Sequence, residues 1–164
     1  MLRSSFLIIP IMCIAEVLTM LGVFTFPSLM PEFISLWQLS NTEAGWIAGV
    51  LLGGYALGVP ILVSLTDRID ARLVYLGGTI ITAAALFGFA YFATGFWSAI
   101  FFRMLAGMGL AATYMPGLRI LADRLDGKKQ GRALAFYTAC FSLGTGISFY
   151  FSGEIGLLFG WATV

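Results

Sequence analysis

Three stretches of the chain carry no Asp, Glu, Lys or Arg: 44–66, 73–102 and 133–153. Each is long enough to cross a hydrocarbon core about 30 Å thick, which takes roughly 20 helical residues. The run 73–102 exceeds one crossing, and Thr94-Gly95 supplies a polar turn that divides it into a hairpin of two spans. The apolar runs are continuous and long, unlike the alternating ten-residue strands of a membrane barrel. The pattern predicts spans over roughly 5–26, 44–64, 73–93, 96–119 and 133–152, with a sixth beginning near Gly160. Pro27 and Pro31 are expected to stop the first helix and leave 27–43 as the longest outer connection. Ser40-Asn41-Thr42-Glu43 then reads as a capping box opening the second span. Trp37 and Trp46 flank that connection as headgroup anchors.

Composition agrees with the pattern and narrows the chemistry. Of 164 residues, 60% are apolar and 10% charged, where a soluble domain carries about 25% charged residues. So few charges cannot cover a water-facing surface, which leaves an all-α integral membrane protein. The chain has no histidine and two cysteines, which removes most imidazole chemistry and any disulfide framework. Cys13 and Cys140 read as small apolar residues inside spans. A net charge of +1 argues against nucleic acid as a partner. No nucleophile with a plausible base, no metal-ligating cluster and no cofactor motif is present, so no enzymatic activity, metal or cofactor is expected. The opening Met1-Leu2-Arg3 and its apolar run resemble a signal peptide, but Glu16 interrupts the run and no small-x-small site follows.

The basic residues set an orientation. Arg3 precedes span 1, Arg68 and Arg72 lie between spans 2 and 3, and Arg119, Arg124, Lys128, Lys129 and Arg132 surround the 4–5 connection. The other connections have no Lys or Arg, which places the N-terminus and both basic connections in the cytoplasm.

Two charges lie inside spans. Glu16 is about ten residues from either end of span 1, roughly 15 Å deep, and Arg103 is seven residues into span 4, roughly 10 Å deep. Such groups cost several kcal/mol unless paired or hydrated, and are functional candidates by default. One reading is a structural salt bridge, or Arg103 snorkelling outward. The sharper reading is a polar cavity in which Arg103 attracts an anionic solute or Glu16 carries a proton. Span 2 also repeats glycine at intervals of four, Gly45, Gly49 and Gly53, then Gly54 and Gly58; this spacing suits close helix packing or a sliding interface. Gly144, Ser148 and Ser152 repeat the theme more weakly in span 5. Pro10, Pro60 and Pro116 fall inside spans 1, 2 and 4.

The short connection Asp67-Arg68-Ile69-Asp70-Ala71-Arg72 must reverse two helices, and Asp-Arg-x-Asp recurs at Asp123-Arg124-Leu125-Asp126. Two helices leaving the membrane on one side share the same end requirements, which accounts for the recurrence. The stretch from Val63 to Arg72 resembles the loop signature of the major facilitator superfamily, Gly-x-Leu-Ala-Asp-Arg-x-Gly-Arg-Arg/Lys. Asp67, Arg68 and Arg72 match, while Val63 and Asp70 stand where glycine is usual. Arg103 followed by Gly107, Gly109, Ala111 and Ala112 resembles that family's span 4 signature. Span 5 lacks the Gly-Pro step of its antiporter signature.

The resemblance implies the N-terminal six-helix bundle of a major facilitator fold, over 1–164 and truncated at the start of span 6, with a C-terminal six-helix half absent. It implies secondary transport of a small solute by alternating access, coupled to a proton or another ion, in a plasma or bacterial inner membrane. It brings Glu16 and Arg103 toward one central path and makes Asp67, Arg68, Asp70 and Arg72 a cytoplasmic gate. The competing reading is a small assembly or regulatory membrane protein, which accounts for the glycines but not for two deep charges.

Overall fold

A computed structural model describes residues 2–160, with side chains from residue 7 onward. The side chain of Arg3 and a sixth span beyond Gly160 lie outside what is described. Among the described residues seven helices follow in order: α1 (Leu2–Met20), α2 (Thr25–Ser28), α3 (Met30–Trp37), α4 (Asn41–Leu65), α5 (Ala71–Phe92), α6 (Phe96–Ala122) and α7 (Gly127–Phe159). By length and composition α4, α5, α6 and α7 can each cross a membrane.

The turns form where breakers and polar residues cluster. Between α4 and α5 only residues 66–70 are non-helical, and the Asp70 carboxylate caps α5 by accepting from the Arg72 backbone N–H at 2.8 Å. At Thr94-Gly95 the Ser98 hydroxyl accepts from both backbone N–H groups, at 2.9 and 3.2 Å, and starts α6. The capping box at α4 is complete: Ser40 Oγ accepts from the Glu43 N–H at 3.2 Å, and Glu43 Oε2 accepts from the Ser40 N–H at 2.8 Å. Pro10, Pro60 and Pro116 lie inside α1, α4 and α6.

Two expectations are corrected. The first helix does not run to residue 26, and the prolines do not end it. It stops at Met20, and Gly22 takes φ 80, a left-handed conformation that glycine adopts without a Cβ penalty. Pro27 sits within α2 and Pro31 in the first turn of α3, so most of the expected outer loop is helical. A proline without an N–H fits a first turn, where that donor would be unpaired anyway. The second correction concerns the basic 4–5 connection. Only residues 123–126 are non-helical, so Lys128, Lys129 and Arg132 occupy the first two turns of α7.

Packing follows the small residues. α4 and α5 both lie along α6, while α1 lies along α7. A Cβ at Gly54 or Gly107 would strike the backbone of Met104 or Leu51 across the α4–α6 contact, and one at Gly58 would meet the Ala111 Cβ at 3.1 Å. Gly109 faces Thr82 and Gly78 of α5 in the same way. The other glycine row parts company with these: Cβ atoms at Gly45, Gly49 and Gly53 would meet nothing within 4 Å, so that row is an open face among the described residues. Along α7, positions 144, 148, 152 and 156 track the broken helix in register. Gly144 lies against Val17 and Met20, Ser148 against Phe24, Ser152 against Thr25 and Gly156 against Leu29.

Candidate functional site

The break after α1 exposes backbone groups that a continuous helix would pair. Inside a bundle each must find a partner, since an unmet backbone group in an apolar interior costs several kcal/mol. α7 supplies one backbone partner and one hydroxyl contact. Ser148 Oγ accepts from the Phe24 N–H at 3.1 Å, and the Ser152 and Thr25 hydroxyls are hydrogen-bonded at 3.1 Å. The Thr25 hydroxyl also donates to the Gly22 carbonyl at 2.8 Å. α6 supplies the second backbone partner: Arg103 Nη1 donates to the Val23 carbonyl. The Arg103 guanidinium also lies over the Phe26 ring, 6.0 Å from its centre. Only 2% of Arg103 is exposed, so it does not snorkel outward. Its Nε has no hydrogen-bond partner among the described residues.

Glu16 is fully buried, one turn before α1 ends. Tyr137 of α7 donates to Glu16 Oε2 at 2.6 Å, the short distance typical of a hydroxyl on a carboxylate. The Thr113 carbonyl of α6 lies 3.5 Å from the same hydroxyl, and Tyr114 stacks on Tyr137 with ring centres 5.8 Å apart. Gly117 makes the space, because a Cβ there would collide with the Tyr137 hydroxyl. Glu16 Oε1 is buried without a partner among the described residues, as is Thr82 Oγ1. A crevice of about 330 Å³ between α1 and α5 is lined by Ala15 and Thr19, flanking Glu16 in sequence, and by Tyr75, Thr79 and Thr82.

Glu16 and Arg103 therefore both turn into the protein, toward different partners. The ion pairs among the described residues are Arg119–Asp67 and Arg119–Asp123, so a Glu16–Arg103 salt bridge is not formed. Their partners also differ in depth: Thr113, beside the Glu16–Tyr137 pair, is ten residues from Arg103 on α6, or about 15 Å along the axis.

At the opposite end from the break, the two Asp-Arg-x-Asp segments meet through one side chain. Arg119 of α6 donates to Asp67 Oδ1 at 2.5 Å and to Thr66 Oγ1 at 2.8 Å, and lies 3.8 Å from Asp123. Of the four residues expected in the gate, Asp67 takes part in this cluster, and Asp70 instead caps α5. The Arg68 and Arg72 side chains take no part in it. Sequence reasoning had placed Arg119 only as a positive charge in a connection. It passed over Tyr137 because an aromatic in an apolar run carries no signal of its own.

This arrangement is a broken first helix, a buried carboxylate beside it, and an arginine from a second helix closing the break. The sequence profile of the Major Facilitator Superfamily matches residues 12–164. The chain belongs to that superfamily. Among curated members it is 30% identical over 126 residues to the "Probable 4-methylmuconolactone transporter" of Cupriavidus pinatubonensis, a match over 73% of this chain and 28% of that protein. It is 24% identical to the niacin transporter NiaP of Acinetobacter baylyi, over 85% of this chain and 31% of NiaP. With protein spinster homolog 1 of Xenopus laevis the identity is 22%, over 93% of this chain and 29% of the relative. The chain thus spans under a third of the length of these relatives. Superfamily membership and four apolar helices of spanning length make it an integral membrane protein.

Proposed function

We propose that this chain forms the N-terminal bundle of a secondary transporter that moves a small organic solute by alternating access, coupled to proton movement through Glu16. The observation that carries the reading is Glu16 itself, a carboxyl group fully buried beside a helix break. One of its oxygens is held by Tyr137 and the other has no partner among the described residues. Such a group is costly to keep in a membrane interior for packing alone. Relatives named for niacin and 4-methylmuconolactone support a small organic solute. Arg103 is a positioning residue here, holding the break through the Val23 carbonyl so that Glu16 keeps its depth. The Arg119–Asp67–Asp123 cluster closes the cytoplasmic end in one state and opens in the other, with the N-terminus on the same side. The open Gly45/Gly49/Gly53 face would slide against a second half of the transporter.

The test is uptake by a protein of family length that carries this chain. Glu16→Gln should abolish proton-driven accumulation and flatten the pH dependence while leaving solute exchange measurable. Wild-type accumulation by Glu16→Gln at every pH would remove the proposed role. The 164-residue chain alone, in liposomes, should give no solute flux.

A further inference from the structure

At the end of the bundle where α1 and α5 begin and α6 finishes, a crevice of about 530 Å³ opens between the three helices. Its walls are apolar, with Leu7 and Ile11 from α1, Leu76 from α5 and Ile120 from α6. Arg72 and Arg124 stand in it, and no carboxylate is among its lining residues. The neighbouring acids are engaged elsewhere: Asp67 and Asp123 lie on Arg119, and Asp70 caps the Arg72 backbone. Arg124 reaches the Ile120 carbonyl only at 3.4 Å, and the Arg72 guanidinium makes no hydrogen bond among the described residues. Leu7, Ile11 and Leu76 are 60%, 61% and 57% exposed, so the apolar wall opens sideways onto lipid.

Two guanidinium groups that have no carboxylate partner among the described residues, above an apolar wall, match an amphiphile with an anionic head. A lone inorganic anion would use the arginines and leave the wall uncovered. A zwitterionic lipid would bring its own cation against them. We propose that this crevice binds one anionic phospholipid, its phosphate between Arg72 and Arg124 and an acyl chain along Leu7, Ile11 and Leu76. Arginine forks suit phosphate oxygens, and basic pockets between membrane helices at headgroup level hold acidic lipids. This assignment stands independently of any transported solute.

The test is native mass spectrometry of the 164-residue chain from micelles holding equal phosphatidylglycerol and phosphatidylcholine. The chain should retain phosphatidylglycerol over phosphatidylcholine by about tenfold. R72Q/R124Q should bring the ratio close to parity. K128Q/K129Q, which removes the same charge from outside the crevice, should leave the preference intact. Leu76→Trp, which narrows the apolar wall without changing charge, should lower retention of phosphatidylglycerol. Excess glycerol phosphate should fail to displace the lipid. Parity in the unmodified chain, an unchanged preference in R72Q/R124Q, an equal loss in K128Q/K129Q, or displacement by glycerol phosphate would each overturn the proposal. Should R72Q/R124Q lose its helical circular dichroism, Leu76→Trp and the glycerol phosphate competition decide alone.

Discussion

Gly117 and Tyr137 make one device with Glu16. The tyrosine hydroxyl reaches the carboxylate only because position 117 has no side chain. Gly117→Ala should therefore drive Tyr137 from its place, and Tyr137→Phe should remove the hydroxyl and leave both carboxylate oxygens unmet. A buried polar group left without its partner costs about 1–3 kcal/mol. Both variants should lower the unfolding midpoint in detergent, followed by circular dichroism, and Glu16→Gln should cost less because an amide can still accept from Tyr137. Equal midpoints for Tyr137→Phe and the unmodified chain would show that the hydroxyl bond contributes nothing. The glycine rows give a sharper contrast. Gly107→Ala sets a methyl against the Leu51 carbonyl and should destabilise by more than a kcal/mol, about the cost of overpacking. Gly49→Ala meets open space and gains helix propensity, so it should be neutral or stabilising by up to about 1 kcal/mol. The same thermal series checks both.

Among the elements, α4, α5 and α6 were legible because their ends coincide with polar punctuation: Ser40 to Glu43, Asp67 to Asp70, and Thr94-Gly95. Ser40→Ala removes one half of the capping box and should cost about 0.5–2 kcal/mol in the same unfolding assay. Hydropathy gave no warning of the break at Gly22. The residues around it, Leu21, Val23 and Phe24, are as apolar as the helix they interrupt, and the Val23 carbonyl and the Phe24 N–H are met from α6 and α7. Only the four-residue repeat of small residues in α7 pointed toward it, and its meaning needs the facing helix. The start of α7 was misplaced for a related reason. Apolarity marks where lipid lies, whereas a helix continues through its charged first turns wherever backbone hydrogen bonds allow. Ser148→Val and Ser148→Thr share one shape, but only valine removes the acceptor for the Phe24 N–H, so Ser148→Val should be less stable than Ser148→Thr by about 1–3 kcal/mol.

For the molecule as a whole, the candidate site joins residues that are far apart in sequence: Glu16 with Tyr137, Arg103 with Val23 and Arg119 with Asp67. Deep charges could be found by reading along the chain, but their partners could not, because pairing depends on which helices are neighbours. The Arg119–Asp67 contact is exposed, with side chains 38% and 66% accessible, so it should add at most about 1 kcal/mol to stability. A double-mutant cycle of Asp67→Asn and Arg119→Gln should give a small coupling that shrinks with salt. In a family-length transporter the same substitutions should alter transport rate far more than stability. A transport rate that tracks stability across the cycle would mark the cluster as a staple alone.

The longest helix sets a dimension on the surroundings. α7 has 33 residues, about 50 Å of rod, and its uncharged middle from Ala133 to Gly153 measures about 31 Å. With α7 across a bilayer, Arg132 and Glu154 would stand on opposite banks of a hydrocarbon layer of that depth. A thinner bilayer would have to thicken locally or make the rod lean, and a thicker one would draw an ion inward. Since the same helix is hydrogen-bonded to Phe24, Thr25 and Glu16, a lean imposed on α7 by short-chain lipids would pull on the buried carboxylate.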